Sequence, residues 1–60
     1  MINVSMVDRA LTSTTGNKIV DKKLIYLYNN KDRLSLLSII IELSILSALY
    51  PEVMDNIIYN

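Results

Sequence analysis

The chain has 60 residues, six basic and six acidic side chains, and neither cysteine nor histidine. A chain of that length forms one domain at most and buries only about 60% of its unfolded surface, and here it has no disulfide and no usual zinc ligand set to staple it. With 52% hydrophobic residues in so small an interior, association with another chain is the remaining remedy. A homo-oligomer, or a complex with a target protein, is the expected state.

The zero net charge hides an asymmetry. Arg9, Lys18, Lys22, Lys23, Lys31 and Arg33 all precede the main apolar run, whereas Glu42, Glu52 and Asp55 lie within or after it. Such a split bears on orientation or partner choice rather than on fold. The start, Met-Ile-Asn-Val, lacks the basic and apolar regions of a signal peptide, so a cytoplasmic location is expected. Abundant Ile, Asn, Lys and Tyr resemble the residue usage of AT-rich genomes, which associates the chain with phage- or virus-type regulators.

Residues 4–13, VSMVDRALTS, follow a helical period: Ser5, Asp8, Arg9 and Thr12 are polar, and Val4, Val7 and Leu11 with Met6 and Ala10 supply the other face. Ser5 and Asp8 have the spacing of a capping box, with Asp in place of Glu. A strand over residues 2–7 is the competing expectation. Residues 12–17 form a loop with the only glycine, Gly16, suited to a left-handed position after a helix. The loop lacks the spacing of a phosphate-binding loop.

Residues 18–28, KIVDKKLIYLY, place Val20, Leu24, Leu27 and Tyr28 on one stripe opposite Lys18, Asp21 and Lys22, which predicts a helix. The segment 24–28, LIYLY, is also rich in strand formers. Lys22 and Lys23 beside Tyr26 and Tyr28 invite a nucleic-acid reading, but Asp21 and Asp32 dilute the basic excess that such a surface needs.

The run 34–50, LSLLSIIIELSILSALY, dominates the sequence, and Glu42 is its only charge. Its length and its Leu content predict a helix, over about residues 31–50. Asn29 or Asn30 would serve as N-cap, with Asp32 in the first turn, and Pro51 closes the far end. Lys31, Ser35, Ser38 and Glu42 make a narrow polar stripe that turns apolar at Ile45, Leu46 and Leu49, while Ser44 and Ser47 sit roughly opposite. A helix apolar nearly all round is buried nearly all round, in protein or in lipid. After it, residues 52–58 predict a short helix, opened by Pro51 and Glu52 and apolar at Val53, Met54, Ile57 and Ile58.

Catalysis is not expected, since serines without a histidine base are poor nucleophiles; no catalytic residue, metal ligand set or cofactor is assigned. Glu42 is the one polar residue singled out, as a proton acceptor if buried or as a polar contact fixing the register between subunits. A DNA-reading helix after Pro51 would carry Glu52, Asp55 and Asn56 and no base, so nucleic acid is a poor partner. A ribbon–helix–helix dimer is the residual form of that idea, if LIYLY is a strand. A single membrane span over residues 34–50 is a more serious alternative, with its N-terminus inside. At about 17 residues the run sits at the lower edge of the spanning range, its bases lie on one side, and Glu42 near the middle opposes it.

The expected fold is therefore an all-α single domain, residues 1–60, with three to four helices (4–13, 18–28, 31–50 and 52–58) around one long central apolar helix, completed by oligomerisation. The expected core is Val7, Leu11, Val20, Leu24, Leu27, Leu36, Leu37, Ile40, Ile41, Leu43 and Ile57. The expected function is that of a non-catalytic interaction protein that binds itself and a target through Leu36, Ile40, Leu43, Ser44, Ser47, Tyr50 and Ile57.

Overall fold

A computed structural model describes residues 4–58, which form four helices: α1 (Val4–Leu11), α2 (Lys18–Asn29), α3 (Leu36–Leu49) and α4 (Pro51–Ile58). No strand occurs among the described residues. Val4–Val7 and the LIYLY segment are both helical, which removes the competing strands there; residues 2 and 3 lie outside the described residues.

Each boundary follows from a local hydrogen-bonding choice. α1 ends at Leu11, two residues earlier than the periodicity predicts. The Thr12 hydroxyl donates to the Asp8 carbonyl at 2.8 Å, and the Ser13 hydroxyl to that of Arg9. Such short polar side chains satisfy the last carbonyls and compete with continuation of the helix. At the other end, Ser5 lies inside the helix rather than at its cap.

The loop that follows is built around α2. Asn17 is the N-cap, its side-chain oxygen accepting from the backbone N–H groups of Ile19 and Val20 at 3.0 and 3.1 Å. Asp21 reaches back and accepts from the Thr15 N–H at 2.7 Å, the Thr15 hydroxyl at 2.6 Å and the Gly16 N–H at 3.1 Å. Gly16 has the expected positive φ, +86°. It stands beside the start of α2, not at the end of α1.

The largest departure from expectation lies between α2 and α3. Asn29 is the last residue of α2, and Asn30 is its C-cap, donating from its backbone N–H to the Tyr26 and Leu27 carbonyls and from its side chain to Tyr26 at 2.7 Å. A turn through residues 30–34 follows, closed by the N–H groups of Arg33 and Leu34 on the Asn30 carbonyl. Ser35 then caps α3, its hydroxyl accepting from the Ser38 N–H at 3.1 Å. The helix expected from residue 31 thus begins at Leu36, and Asp32 lies in the turn. Asparagine serves either helix end, whereas Ser35 is a stronger start signal than stop signal. Tyr50 closes α3, its N–H on the Leu46 carbonyl at 2.8 Å, and its own carbonyl opens α4 by accepting from Met54. Pro51 occupies the first position of α4, where its missing N–H leaves no gap.

α1 packs against all three other helices, and α3 packs chiefly on α4. The core joins Val7, Ala10 and Leu11 to Val20, Leu24 and Leu27, to Ile39, Leu43 and Leu46, and to Met54 and Ile58. Six of the expected core residues are there: Val7, Leu11, Val20, Leu24, Leu27 and Leu43. Ile40 and Ile57 are half-buried at its edge, while Leu36, Leu37 and Ile41 are exposed. The last three were misplaced because a helix apolar on every side carries almost no phase information; the packing of α1 and α4 decides which side turns inward. At 14 residues α3 measures about 21 Å, short of the roughly 30 Å hydrocarbon layer. No helix among the described residues is long and apolar enough to cross a membrane.

Leu43 is fully buried at the middle of α3, so Leu43→Ala should lose about 2–5 kcal/mol, a large part of the roughly 5–15 kcal/mol available to a small domain. Urea unfolding followed by circular dichroism measures it; a loss under 1 kcal/mol would contradict this packing. Asp21 yields a second prediction. The Thr15 hydroxyl and the Thr15 and Gly16 N–H groups hold its carboxyl below the ordinary 3.8, against a smaller opposing effect of burial. A folded-state pKa below the unfolded one contributes stability that is present above about pH 3.8 and fades as pH falls through the folded value. Asp21→Asn should therefore melt below the wild type at pH 7 and converge with it toward pH 2. A gap independent of pH would refute this role.

Candidate interaction surface

The two sides of α3 differ in what covers them, not in what they are made of. Ile39, Leu43 and Leu46 face the core, with Tyr50 half-buried beyond them. On the opposite side Leu37, Ile41, Ile45 and Leu49 stand four residues apart, exposed by 67, 50, 48 and 66%. Residues at that spacing form a continuous ridge along a helix. Nothing in the described chain covers it.

Each flank of the ridge has its own character. On one lie Ser44 and Ala48, both exposed. The Ser44 hydroxyl is spent on the Ile40 carbonyl at 2.9 Å, so this flank is small and nearly apolar. On the other flank Glu42 forms an ion pair with Lys23 of α2, the two side chains being 33 and 40% exposed. The Lys23 ammonium also stands 5.5 Å from the centre of the Tyr26 ring. Beside this pair α2 and α3 part to leave a groove of about 690 Å³, lined by Ile19 and Tyr26 from α2 and by Ile45 and Leu49 from α3. Ile19 is 63% and Tyr26 53% exposed, so the apolar surface runs from the ridge across the groove onto α2.

The residues expected to form the interaction surface share one stripe of α3, apart from Ile57 on α4, but most of that stripe is buried or half-buried. Leu43 is wholly buried and belongs to the fold, a correction that follows from its place opposite the ridge. Ile40, Tyr50 and Ile57 are half-buried against the core. The hydroxyl of Ser47 is buried and has no hydrogen-bond partner. Of that set only Leu36 and Ser44 are exposed. Leu37, Ile41, Ile45 and Leu49 take their place. The sequence signals two of them: the polar stripe Ser35, Ser38 and Glu42 runs on into Ile45, Leu46 and Leu49, of which Ile45 and Leu49 are exposed while Leu46 is buried.

A second cavity, of about 590 Å³, lies between the 12–17 loop and α4, bordered by Arg9, Thr14, Thr15, Glu52 and Asn56. The Arg9 guanidinium donates to the Ile58 carbonyl at 3.2 Å and so ties α1 to the end of α4. Among the described residues no group of three or more His, Cys, Asp or Glu side chains converges as a metal site would require, and no buried residue is polar or charged. Comparison with models of known protein families, with curated proteins and with solved structures gave no match.

Glu42 keeps its carboxylate in water and beside a lysine, an arrangement worth at most about 1 kcal/mol. Glu42→Gln should accordingly shift the unfolding free energy by less than that, measured by urea titration. A loss above 2 kcal/mol would mean that the carboxylate does more than pair with Lys23.

Proposed function

We propose that this protein is a non-catalytic interaction protein that docks on another protein chain through the outer side of α3. The observation that carries this reading is the exposed ridge Leu37–Ile41–Ile45–Leu49 on a helix whose other side already fills the core. Four large aliphatic side chains in a row, continued by Ile19 and Tyr26, form a contiguous exposed apolar surface of the kind that marks protein interaction sites. Removing them from water, at about 25 cal/mol per Å², is the driving force.

Recognition of this kind lays an apolar helix side into a complementary groove or against another helix, read as anchors one turn apart. The anchors need no charge of their own, and Glu42 is turned aside to Lys23. The self-association and target binding expected of so small a domain both draw on this surface. The residue usage fits a regulator of the phage or virus type. Neither alternative gains a footing: α3 is too short to span a bilayer, and the helical 24–28 segment cannot supply the strand of a ribbon–helix–helix dimer.

Ile41→Asp separates docking from folding, because Ile41 is half exposed and lies outside the buried core. The variant should keep its helical spectrum and unfold within about 1 kcal/mol of the wild type, as surface substitutions do. Its association, with itself and with any protein that co-purifies with the wild type, should fall at least tenfold, since a carboxylate would be desolvated at the contact. Light scattering and co-purification read the two effects. Unaltered association in a folded Ile41→Asp variant would overturn the reading.

A further inference from the structure

The ridge on α3 has an order that says what fits it. Read from either end it is Leu-Ile-Ile-Leu, centred on the level of Leu43. The exposure is symmetric as well, the outer two leucines standing out further than the inner two isoleucines. A two-fold contact between identical chains requires a surface that matches itself after rotation. An axis perpendicular to α3 at the level of Leu43 reverses the order of the ridge and so reproduces it.

We propose that the occupant of this surface is a second copy of the chain, with the two α3 helices antiparallel, Leu37 set against the partner's Leu49 and Ile41 against the partner's Ile45. This rests on the docking reading of the α3 outer side and names its partner. Ridges at four-residue spacing interdigitate at a crossing angle of about −50°, and the small Ser44 and Ala48 flank leaves room for the helices to approach. The two-fold also brings like flanks together, so the two Lys23–Glu42 pairs gather on one side of the axis. Their charges sum to zero, and the whole chain carries no net charge to hold two copies apart. Antiparallel helix dipoles attract, whereas a parallel pair would set like ends side by side.

The area agrees. The four ridge side chains expose on the order of 100 Å² each, and with Ile19 and Tyr26 each copy offers roughly 600 Å², so that complete burial of both would give about 1,200 Å², at most the lower edge of stable interfaces. A dimer of that size forms and separates with concentration instead of being permanent.

Cysteine cross-linking tests the arrangement, because the chain has no cysteine of its own. Leu37→Cys and Leu49→Cys each alter a side chain about two-thirds exposed, so both variants should fold; melting curves check this. Under mild oxidation an equal mixture of the two should yield mainly the mixed 37–49 disulfide, and several-fold less 37–37 or 49–49 product than chance pairing gives. Sedimentation of the unmodified protein should show a mass rising from 6.8 kDa toward twice that across micromolar to millimolar concentration. A predominance of 37–37 and 49–49 disulfides would overturn the antiparallel pairing while leaving the docking reading intact. A mass fixed at 6.8 kDa over that range would overturn the second copy as occupant. In that case the docking reading survives only if Ile41→Asp still abolishes capture of a co-purifying protein.

Discussion

α3 is a rod of 14 residues with apolar side chains on nearly every side, yet it packs chiefly on α4 and then on α1, which leave its outer side uncovered. The inner side is satisfied: Ile39, Leu43 and Leu46 complete a core with Val7, Leu24, Leu27 and Met54. Burying each such side chain contributes roughly 1.5–3 kcal/mol, set against backbone ordering of about 1–2 kcal/mol per residue. Among the described residues no helix covers the outer side.

Where the rods begin and end decides which side turns inward. A helix advances about 100° per residue, so each end must be fixed before its stripe can meet a neighbour. Asn17 and Asp21 fix α2 from the loop side, Ser35 fixes α3, and Tyr50 followed by Pro51 joins α3 to α4 with no intervening loop. That tight corner folds α4 back so that Met54 and Ile58 enter the core. Arg9, bonded to the Ile58 carbonyl, then draws α1 and the end of α4 together across 49 residues of sequence. The capping residues act through hydrogen bonds, but their result is a choice of apolar side.

This explains what the sequence made legible and what it hid. α1, α2 and α4 alternate polar and apolar residues at helical spacing, so the elements can be read directly, and in α1 and α2 Val7, Leu11, Val20, Leu24 and Leu27 are where the periodicity puts them; in α4 the core takes Met54 and Ile58 in place of the expected Ile57. α3 offers no such contrast. There Leu36, Leu37 and Ile41 were assigned to the core and lie outside it, while Ile39 and Leu46, of the same chemistry, lie within. Ala10, on the apolar side of α1, is buried as well, although a methyl group gives little signal for the core. Asn29 and Asn30 both suit a helix start, yet Asn29 ends α2 and Asn30 is its C-cap, since an asparagine side chain can satisfy either end of a helix. Only tertiary packing resolves these ambiguities.

Leu43 and Ile41 are two residues apart, which on a helix points them to nearly opposite sides. The proposed docking would therefore share α3 with the fold but divide its circumference, a change at Leu43 acting on folding and a change at Ile41 on association. The single charge of α3 lies at the seam between these sides, held against Lys23 by an ion pair that is partly hydrated and easily rearranged. Had Glu42 stood two positions earlier or one later, its carboxylate would have lain in the core-facing half, at the expense of the fold. One position earlier would have placed it on the ridge, where it would oppose any apolar partner. The position it occupies keeps the carboxylate out of the core and off the exposed ridge, and so is compatible with both the fold and the proposed docking.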